Sequence, residues 1–303
     1  MRKTEAPERI VAVLDAPSNL GLRPPRPGVE PGCKKLAGAL REQGIVQRLG
    51  ACDAERLIPP PYSEKWDGRT VRNASAIARF SRELANRVEK LLDKGHFPLV
   101  MGGDCSILLG NMLALRKRGR FGLAFLDGHL DFRHTGNSEA VGAAAGEDLA
   151  LVTGRGGEDL TNPDGLKPLV REEDVVALGE RENDPETRDV LDTEITVLDL
   201  AAVRKVGVAE ASQRAVERFE GNKLDGFWIH LDADVLDDEV MPAVDSPQPG
   251  GLSRNELIEM LKVLLASRLA AGMEVTIFDP DLDPDGSIAS AFTDDLVAAL
   301  ADE

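Results

Sequence analysis

Two short runs of aspartate and histidine have the spacing that a metal site needs. The first run, DGHLD, places Asp127, His129 and Asp131 at every second position directly after the apolar segment FGLAFL. Side chains at every second position of an extended chain point to the same side, so these three groups can converge. Carboxylate oxygens and imidazole nitrogens are common ligands of divalent metals. The run therefore indicates a metal site at the end of a strand.

A second run of the same kind lies nearer the carboxyl end of the chain. The segment FWIHLDAD places His230, Asp232 and Asp234 at alternate positions, and Asp237 follows three residues later. Carboxylates gathered at one place repel one another strongly unless a cation neutralises them. Aspartate is also common in turns, so either run alone leaves an ordinary turn open. Together, the two runs favour a divalent metal centre.

A third polar cluster follows the apolar segment FPLVM, where the motif GGDCS begins. Taken alone it is a weak signal, because Asp104 or Ser106 could simply cap a helix and a buried cysteine is usually inert. Beside the two acidic runs, Cys105 becomes a candidate ligand. A thiolate is a softer donor than a carboxylate and favours Zn²⁺ or Fe²⁺ over Mn²⁺.

The elements that must position these residues are short apolar runs that alternate with longer segments of helical spacing. The pattern begins with RIVAVLDA at 9–16 and continues to EVTIFDP near the carboxyl end. It predicts an α/β fold with a mainly parallel, doubly wound sheet and helices on both faces. Such sheets bind ligands at the carboxyl ends of their strands, where all three polar clusters lie. The irregular regions 16–32 and 133–170 are long loops of the kind that often carry function.

Composition limits the possible partners and locations. The chain has 303 residues, of which 42% are hydrophobic and 29% are charged, and a single domain over 1–303 is expected because no linker or repeat divides it. The net charge of −17 argues against nucleic acid as a partner. No apolar run approaches the ~20 residues of a membrane span, so we expect a soluble protein with no membrane partner. Three cysteines without a CxxC pair favour a reducing, cytoplasmic location.

The order of GGDCS, DGHLD, DADVLD and MPAVDSPQPGGL resembles the ureohydrolase superfamily of arginase, agmatinase and formimidoylglutamase. The family motifs are GGDHS, DAHxD and SxDxDxxDP, followed by a loop rich in glycine and proline. The resemblance spans most of the chain and implies a three-layer α/β/α fold, two bridged divalent ions and a homo-oligomer, trimer or hexamer. Family membership implies Mn²⁺, and the cysteine in place of the GGDHS histidine leaves Zn²⁺ or Fe²⁺ open. The ligands carried over are Asp127, His129, Asp131, Asp232 and Asp234, with Cys105 at the histidine position.

The resemblance also implies a reaction. Two ions would bridge and deprotonate a water, and the resulting hydroxide would attack the carbon of a C–N bond in a small guanidino, amidino or formimino compound. Asp127 and Asp232 would bridge the ions, whereas Asp237 would bind the bridging water, orient a ligand or merely cap its loop. His230 stands where the family usually has a small hydroxyl residue. It would support the ligands, transfer protons or be a core histidine bonded to the backbone.

Two departures from the family pattern bear on the substrate. Ala145 aligns with the family's proton-transfer histidine, and Ile277 aligns with the glutamate that faces the guanidinium group, so arginine is not assigned. Strand alternation would set Asp279 on the same side as Ile277, where it could supply the lost carboxylate, although a turn residue before proline is the alternative. Asp184, in ALGERENDPE, aligns with the acid that often holds the substrate's polar tail.

Two other functions remain open at the level of sequence. The substitutions could mark a degenerate, non-catalytic metal-binding protein with the same fold, and the DxD pair is also compatible with a metal-dependent amide deacetylase. Retention of every carried-over aspartate and histidine favours an enzyme, because the repulsion among those carboxylates has a cost that only a bound metal offsets.

Overall fold

The structure, a computed structural model, describes residues 9–139, 141–181 and 187–301. Within these residues, eight strands form one sheet in which every pair is parallel. The strands are β1 (Ile10–Asp15), β2 (Cys52–Arg56), β3 (His96–Met101), β4 (Phe121–Leu126), β5 (Val175–Leu178), β6 (Thr196–Leu198), β7 (Gly226–Asp232) and β8 (Ala270–Thr276).

Helices connect the strands and cover both faces of the sheet. They are α1 (Leu36–Glu42), α2 (Ile45–Arg48), α3 (Ala74–Asp93), α4 (Leu108–Arg118), α5 (Asp148–Val152), α6 (Glu158–Thr161), α7 (Thr187–Leu191), α8 (Leu200–Val206), α9 (Val208–Gly221), α10 (Arg254–Ala266) and α11 (Ser287–Leu300). Apolar side chains of α1, α9, α10 and α11 pack on one face of the sheet. Those of α3, α4 and α5 pack on the other. This confirms the predicted α/β/α fold of three layers.

The strand order is β2-β1-β3-β8-β7-β4-β5-β6, so the last two strands of the chain fill the centre of the sheet. Central parallel strands are buried on both faces and are therefore apolar almost throughout. This order sets the carboxyl ends of β3, β8, β7 and β4 side by side. Those four ends carry the motifs GGDCS, TIFD, DAD and DGHLD, so the fold brings distant segments to one place.

Two further observations bear on the environment of the chain. Among the described residues, none of the helices combines the length and the apolar composition that crossing a bilayer requires. Cys33, Cys52 and Cys105 are all free thiols, and two of them, Cys33 and Cys105, are buried.

Candidate metal centre

A pocket of about 930 Å³ opens over the ends of the central strands. Its walls include residues of both long loops, 16–32 and 133–170, that the sequence analysis expected to carry function. The side chains that line it include the predicted ligands His129, Asp131 and Asp232.

The first group of predicted ligands, here called cluster A, consists of Asp127, His129 and Asp234. One ligand atom from each lies within 4.8 Å of the others. His129 Nδ1 is 3.0 Å from Asp234 Oδ2 and 3.6 Å from Asp127 Oδ1. Burial by itself would lower the pKa of His129, but the hydrogen bonds and charges of the two aspartates raise it to about 12. Cluster A therefore concentrates negative charge around one imidazole.

The polypeptide positions the acids of cluster A through its own amides. Asp127 follows β4 directly and its Oδ1 accepts a hydrogen bond from the His129 backbone N–H at 2.6 Å. Asp234 follows β7, and its Oδ1 accepts from the Gly128 N–H at 3.1 Å. The second bond ties the two strand-end loops together, and both bonds orient the carboxylates.

The second group, cluster B, consists of Cys105, His230 and Asp232, again with ligand atoms within 4.8 Å of one another. The Cys105 thiol lies 2.8 Å from Asp232 Oδ2 and 3.2 Å from Thr276 Oγ1. Burial, followed by the charge of Asp232, raises the pKa of Cys105 well above its ordinary value. The thiol therefore keeps its proton beside these carboxylates, and only an adjacent cation would favour the thiolate.

His230 links the two clusters. It is completely buried in the middle of β7, and its Nδ1 lies 2.5 Å from Glu274 Oε1 on the neighbouring strand β8. Phe125 stacks on the imidazole with the ring centroids 4.6 Å apart and the planes 10° from parallel. The other ring nitrogen, Nε2, is 3.8 Å from Asp127 Oδ2 in cluster A. The partner of His230 is thus a carboxylate rather than the backbone that one sequence interpretation expected.

Three polar atoms at this junction have no hydrogen-bond partner among the described residues. They are Asp127 Oδ2, Asp148 Oδ2 and His230 Nε2, and all three are buried. His230 Nε2 is 3.9 Å from Asp148 Oδ2, so the three atoms face a common space. Buried polar atoms without partners are rare in native proteins and call for an explanation. The unsatisfied nitrogen and oxygens, beside a thiol and further carboxylates, fit the ligand needs of divalent ions.

Asp131 lies in the same pocket but outside both clusters. Burial, followed by the charges of Asp127 and Asp148, raises the pKa of Asp131 well above its ordinary value. Its backbone φ of 43° is unusual for a residue other than glycine. Its role as a ligand stays a prediction.

The predicted functional residue Asp237 forms hydrogen bonds within its own loop. Asp237 accepts hydrogen bonds from the Glu239 N–H at 3.0 Å and the Gly250 N–H at 2.7 Å, one on each carboxylate oxygen. These amides lower its pKa. The geometry therefore favours the alternative in which Asp237 caps its loop, because each of its oxygens accepts a hydrogen bond from a loop amide.

Asp279 lines the pocket, although not for the reason that alternation suggested. Strand β8 ends at Thr276, and Ile277 has a φ of 74°. The Phe278 N–H donates to the Thr276 carbonyl at 2.9 Å, which makes a tight γ-turn around Ile277. Asp279 accepts from the Gly32 N–H at 3.1 Å and is partly occupied in holding that loop. The other predicted substrate contact, Asp184, lies outside the described residues.

The two missing family residues leave apolar surface in the pocket. Ala145 and Ile277 are both lining residues and both are buried. A positive φ is costly for a β-branched side chain such as isoleucine, and backbone strain of this kind concentrates at functional sites. The Ile277 N–H donates to the Gly103 carbonyl at 2.7 Å, so the turn is held against the GGDCS loop.

Sequence reasoning missed three acidic residues of the site. Glu274 and Asp148 contact His230 as described above, and Asp245 lines the pocket, where burial followed by the charge of Asp234 raises its pKa to about 6. The signal for Glu274 was present, since a charged residue inside an apolar central strand requires a partner. Asp148 and Asp245 lie in segments without periodicity, so only the fold reveals their positions.

Comparisons with known proteins agree with this geometry. A family model described as "Arginase family" matches residues 9–302. The arginase of Brevibacillus brevis is 30% identical over 289 residues, which cover 92% of this chain and 93% of that protein. The arginase of Bacillus caldovelox is 29% identical over 290 residues, covering 92% of this chain and 94% of that protein. The solved structure of the Bacillus caldovelox arginase superposes with a TM-score of 0.86 at 26% identity, covering 98% and 99% of the two chains. The resemblance inferred from the motifs is therefore confirmed.

Proposed function

The chain belongs to the arginase family, whose members are metal-dependent hydrolases, and we propose that it uses two divalent ions to hydrolyse a C–N bond. The substrate would be a small guanidino, amidino or formimino compound. The observation that carries this proposal is the adjacency of clusters A and B, joined by the 3.8 Å approach of His230 Nε2 to Asp127 Oδ2, while His129, Asp232 and Asp234 line the pocket. The bound ions would activate a water molecule and stabilise the charge that develops on the substrate.

Apart from Asp131, the proposed ligands belong to the two clusters, and Asp127 and Asp232 each contact residues of both. Asp127 turns Oδ1 toward His129 and Oδ2 toward His230. Asp232 turns Oδ2 toward Cys105, while its Oδ1 accepts the Asp234 N–H at 2.7 Å. This arrangement supports the bridging role that the resemblance implies for Asp127 and Asp232. The full proposed set is Cys105, Asp127, His129, Asp131, Asp232 and Asp234.

The pocket walls suggest a substrate other than arginine. At the position where the family has a glutamate, Ile277 offers no charge for a guanidinium group. Asp245 and Asp279 supply carboxylates elsewhere in the pocket, and Arg23 and Arg133 also line it. We therefore propose that the substrate is a guanidino, amidino or formimino compound other than arginine, with polar groups that these charged side chains bind. Asp184 stays a predicted contact for the substrate's polar tail.

A product-release screen tests the function. The protein is stripped with a chelator, reconstituted with divalent metal and offered arginine, an ω-guanidino acid, agmatine, N-formiminoglutamate and an acetylated amine. We expect urea, ammonia or formamide from one guanidino or formimino compound, at a higher rate than with arginine. Asp234→Asn should abolish that release. Turnover of the acetylated amine alone would favour a deacetylase, and two bound ions without any turnover would favour a non-catalytic protein.

The assembly and the location are also proposals. A trimer or hexamer is tested by light scattering of the purified protein. The three free cysteines are compatible with the proposed reducing cytoplasm.

A further inference from the structure

We propose that His230 is itself a metal ligand, held in place by Glu274, and that cluster B is a thiolate, imidazole and carboxylate site suited to Zn²⁺. The inference rests on the proposed function, because it assigns the metal of one half of the binuclear centre. It departs from a site of oxygen and imidazole ligands through the thiolate of Cys105, and it adds His230 to the proposed ligands.

The position of His230 supplies the first argument. Its side chain is completely buried, and Nε2 has no hydrogen-bond partner among the described residues. A ring nitrogen of this residue lies within 4.8 Å of both Cys105 Sγ and an oxygen of Asp232. Because Nδ1 bonds to Glu274, Nε2 is the nitrogen left to bind a metal, and it lies 3.8 Å from Asp127 Oδ2 of cluster A. A histidine with no ligand there would leave this atom buried and unsatisfied.

The partners of His230 supply the second argument. Metal-binding histidines almost always donate their other N–H to a carboxylate, carbonyl or water, and this bond sets the tautomer and ring orientation. Glu274 is fully buried in β8 and paired in register with His230, so it faces Nδ1 directly. Its second oxygen accepts a hydrogen bond from Asn111 of α4. Glu274 is thus fixed on both oxygens, and Phe125 fixes the plane of the ring.

The donor types supply the third argument. Sulfur and imidazole nitrogen suit Zn²⁺, which commonly binds Cys, His and Asp, whereas Mn²⁺ prefers oxygen. Ligation would form a metal–sulfur bond and release the Cys105 proton to solvent. Cluster A, with one histidine and two aspartates, lacks the soft donor. The two halves of the centre therefore differ in their preference for metals.

Spectroscopy of the wild-type protein tests the sulfur ligand without any substitution. Zinc-edge X-ray absorption of protein loaded with Zn²⁺ should contain a sulfur shell at about 2.3 Å. Reconstitution with Co²⁺ should give a near-ultraviolet thiolate-to-cobalt band. Cys33→Ser, which alters a buried pocket thiol outside both clusters, should keep the band, and Cys105→Ser should remove it. A spectrum with neither sulfur shell nor cobalt band would overturn the proposal.

Competition titrations test the histidine. Most sites bind Zn²⁺ more tightly than Mn²⁺, so the informative quantity is the change in that ratio on substitution. His230→Gln should weaken one Zn²⁺ by at least about tenfold and lower the ratio, and Glu274→Gln should weaken it by about 10–100-fold. His96→Gln, at the amino end of β3, is the matched control and should change neither value. Circular dichroism of each variant monitors folding.

The outcomes separate this inference from the proposed function. If His230→Gln binds both ions like the wild type, then His230 is only a buried ion-pair partner and the inference fails. The C–N hydrolase remains supported in that case if the wild type binds two ions and turns over substrate. If the wild type binds neither ion, both proposals fail.

Discussion

His230 shows how one side chain can change the character of a strand end. A small hydroxyl residue at that position would leave Asp127 Oδ2 and Asp148 Oδ2 facing an open space. The imidazole instead occupies part of this space, with Nε2 3.8 Å from Asp127 Oδ2 and 3.9 Å from Asp148 Oδ2. Its Nδ1 pairs with the buried Glu274. The types of the ligands could be predicted from alternation along β7, but the partner on β8 depends on register, which no local pattern specifies.

Asp232 and Asp237 belong to one DxDxxD run but should differ sharply on substitution. Asp232→Asn should abolish most metal binding, because it removes the carboxylate of cluster B that also bonds the Asp234 amide of cluster A. Asp237→Asn is the matched control and should retain both ions, since its carboxylate bonds only loop amides in the structure. Metal content after dialysis measures both. Equal metal content in the Asp232 variant and the wild type would contradict a bridged pair.

Ile277 offers a direct test of substrate choice. Ile277→Glu should raise kcat/KM for arginine, because it places a carboxylate on the pocket wall where a guanidinium group would lie. Ile277→Gln is the control of the same size without charge, and both variants carry the same cost of a positive φ. The gain should appear only in the glutamate variant. No difference between the two variants on arginine would remove the argument from position 277.

At the scale of elements, the parallel sheet and the polar strand ends were predictable, whereas the strand order was not. Apolar runs indicate strands, and the polar residues at their carboxyl ends indicate a site. The sequence pattern does not predict that β8 lies between β3 and β7. That placement brings Thr276 to Cys105 and Glu274 to His230. The same limit explains Asp279, since alternation holds only while a strand continues and β8 ends at Thr276.

Gly103 lies in the loop between strand β3 and Cys105, where the backbone packs closely against Ser18. A Cβ added there would lie 1.6 Å from the Ser18 carbonyl oxygen, a backbone atom that cannot give way. Gly103→Ala should therefore displace the loop that carries Cys105 and weaken metal binding at cluster B. Gly221→Ala, at the end of α9 with open space around it, should be neutral or slightly stabilising. Metal titration and thermal unfolding of both variants check this, and unchanged metal affinity in Gly103→Ala would contradict it.

At the scale of the whole molecule, the carboxylates of the site lower the free energy of unfolding of the protein. The protein has a net charge of −17, and several of its carboxylates are buried together at one edge of the sheet. Such a cluster costs folding free energy unless a cation occupies it. An ion that binds only the folded state returns stability, about 2.7 kcal/mol at a free concentration 100 times its dissociation constant. We therefore expect the free energy of unfolding to increase when metal binds.

Asp131→Asn should stabilise the protein when metal is absent and destabilise it when metal is bound. Burial and the neighbouring carboxylates raise the pKa of Asp131 in the folded protein, so its ionisation destabilises the fold increasingly above the pKa of the unfolded chain. In the presence of chelator at pH 8, the asparagine variant should unfold at a higher denaturant concentration than the wild type. The difference between the two midpoints should decrease toward pH 4. With saturating Zn²⁺ or Mn²⁺ the order should reverse, because the variant has lost a ligand. Asp192→Asn removes the same charge from an exposed position and should show neither effect. A variant that is less stable than the wild type both with and without metal would show that Asp131 supports the fold rather than the ions.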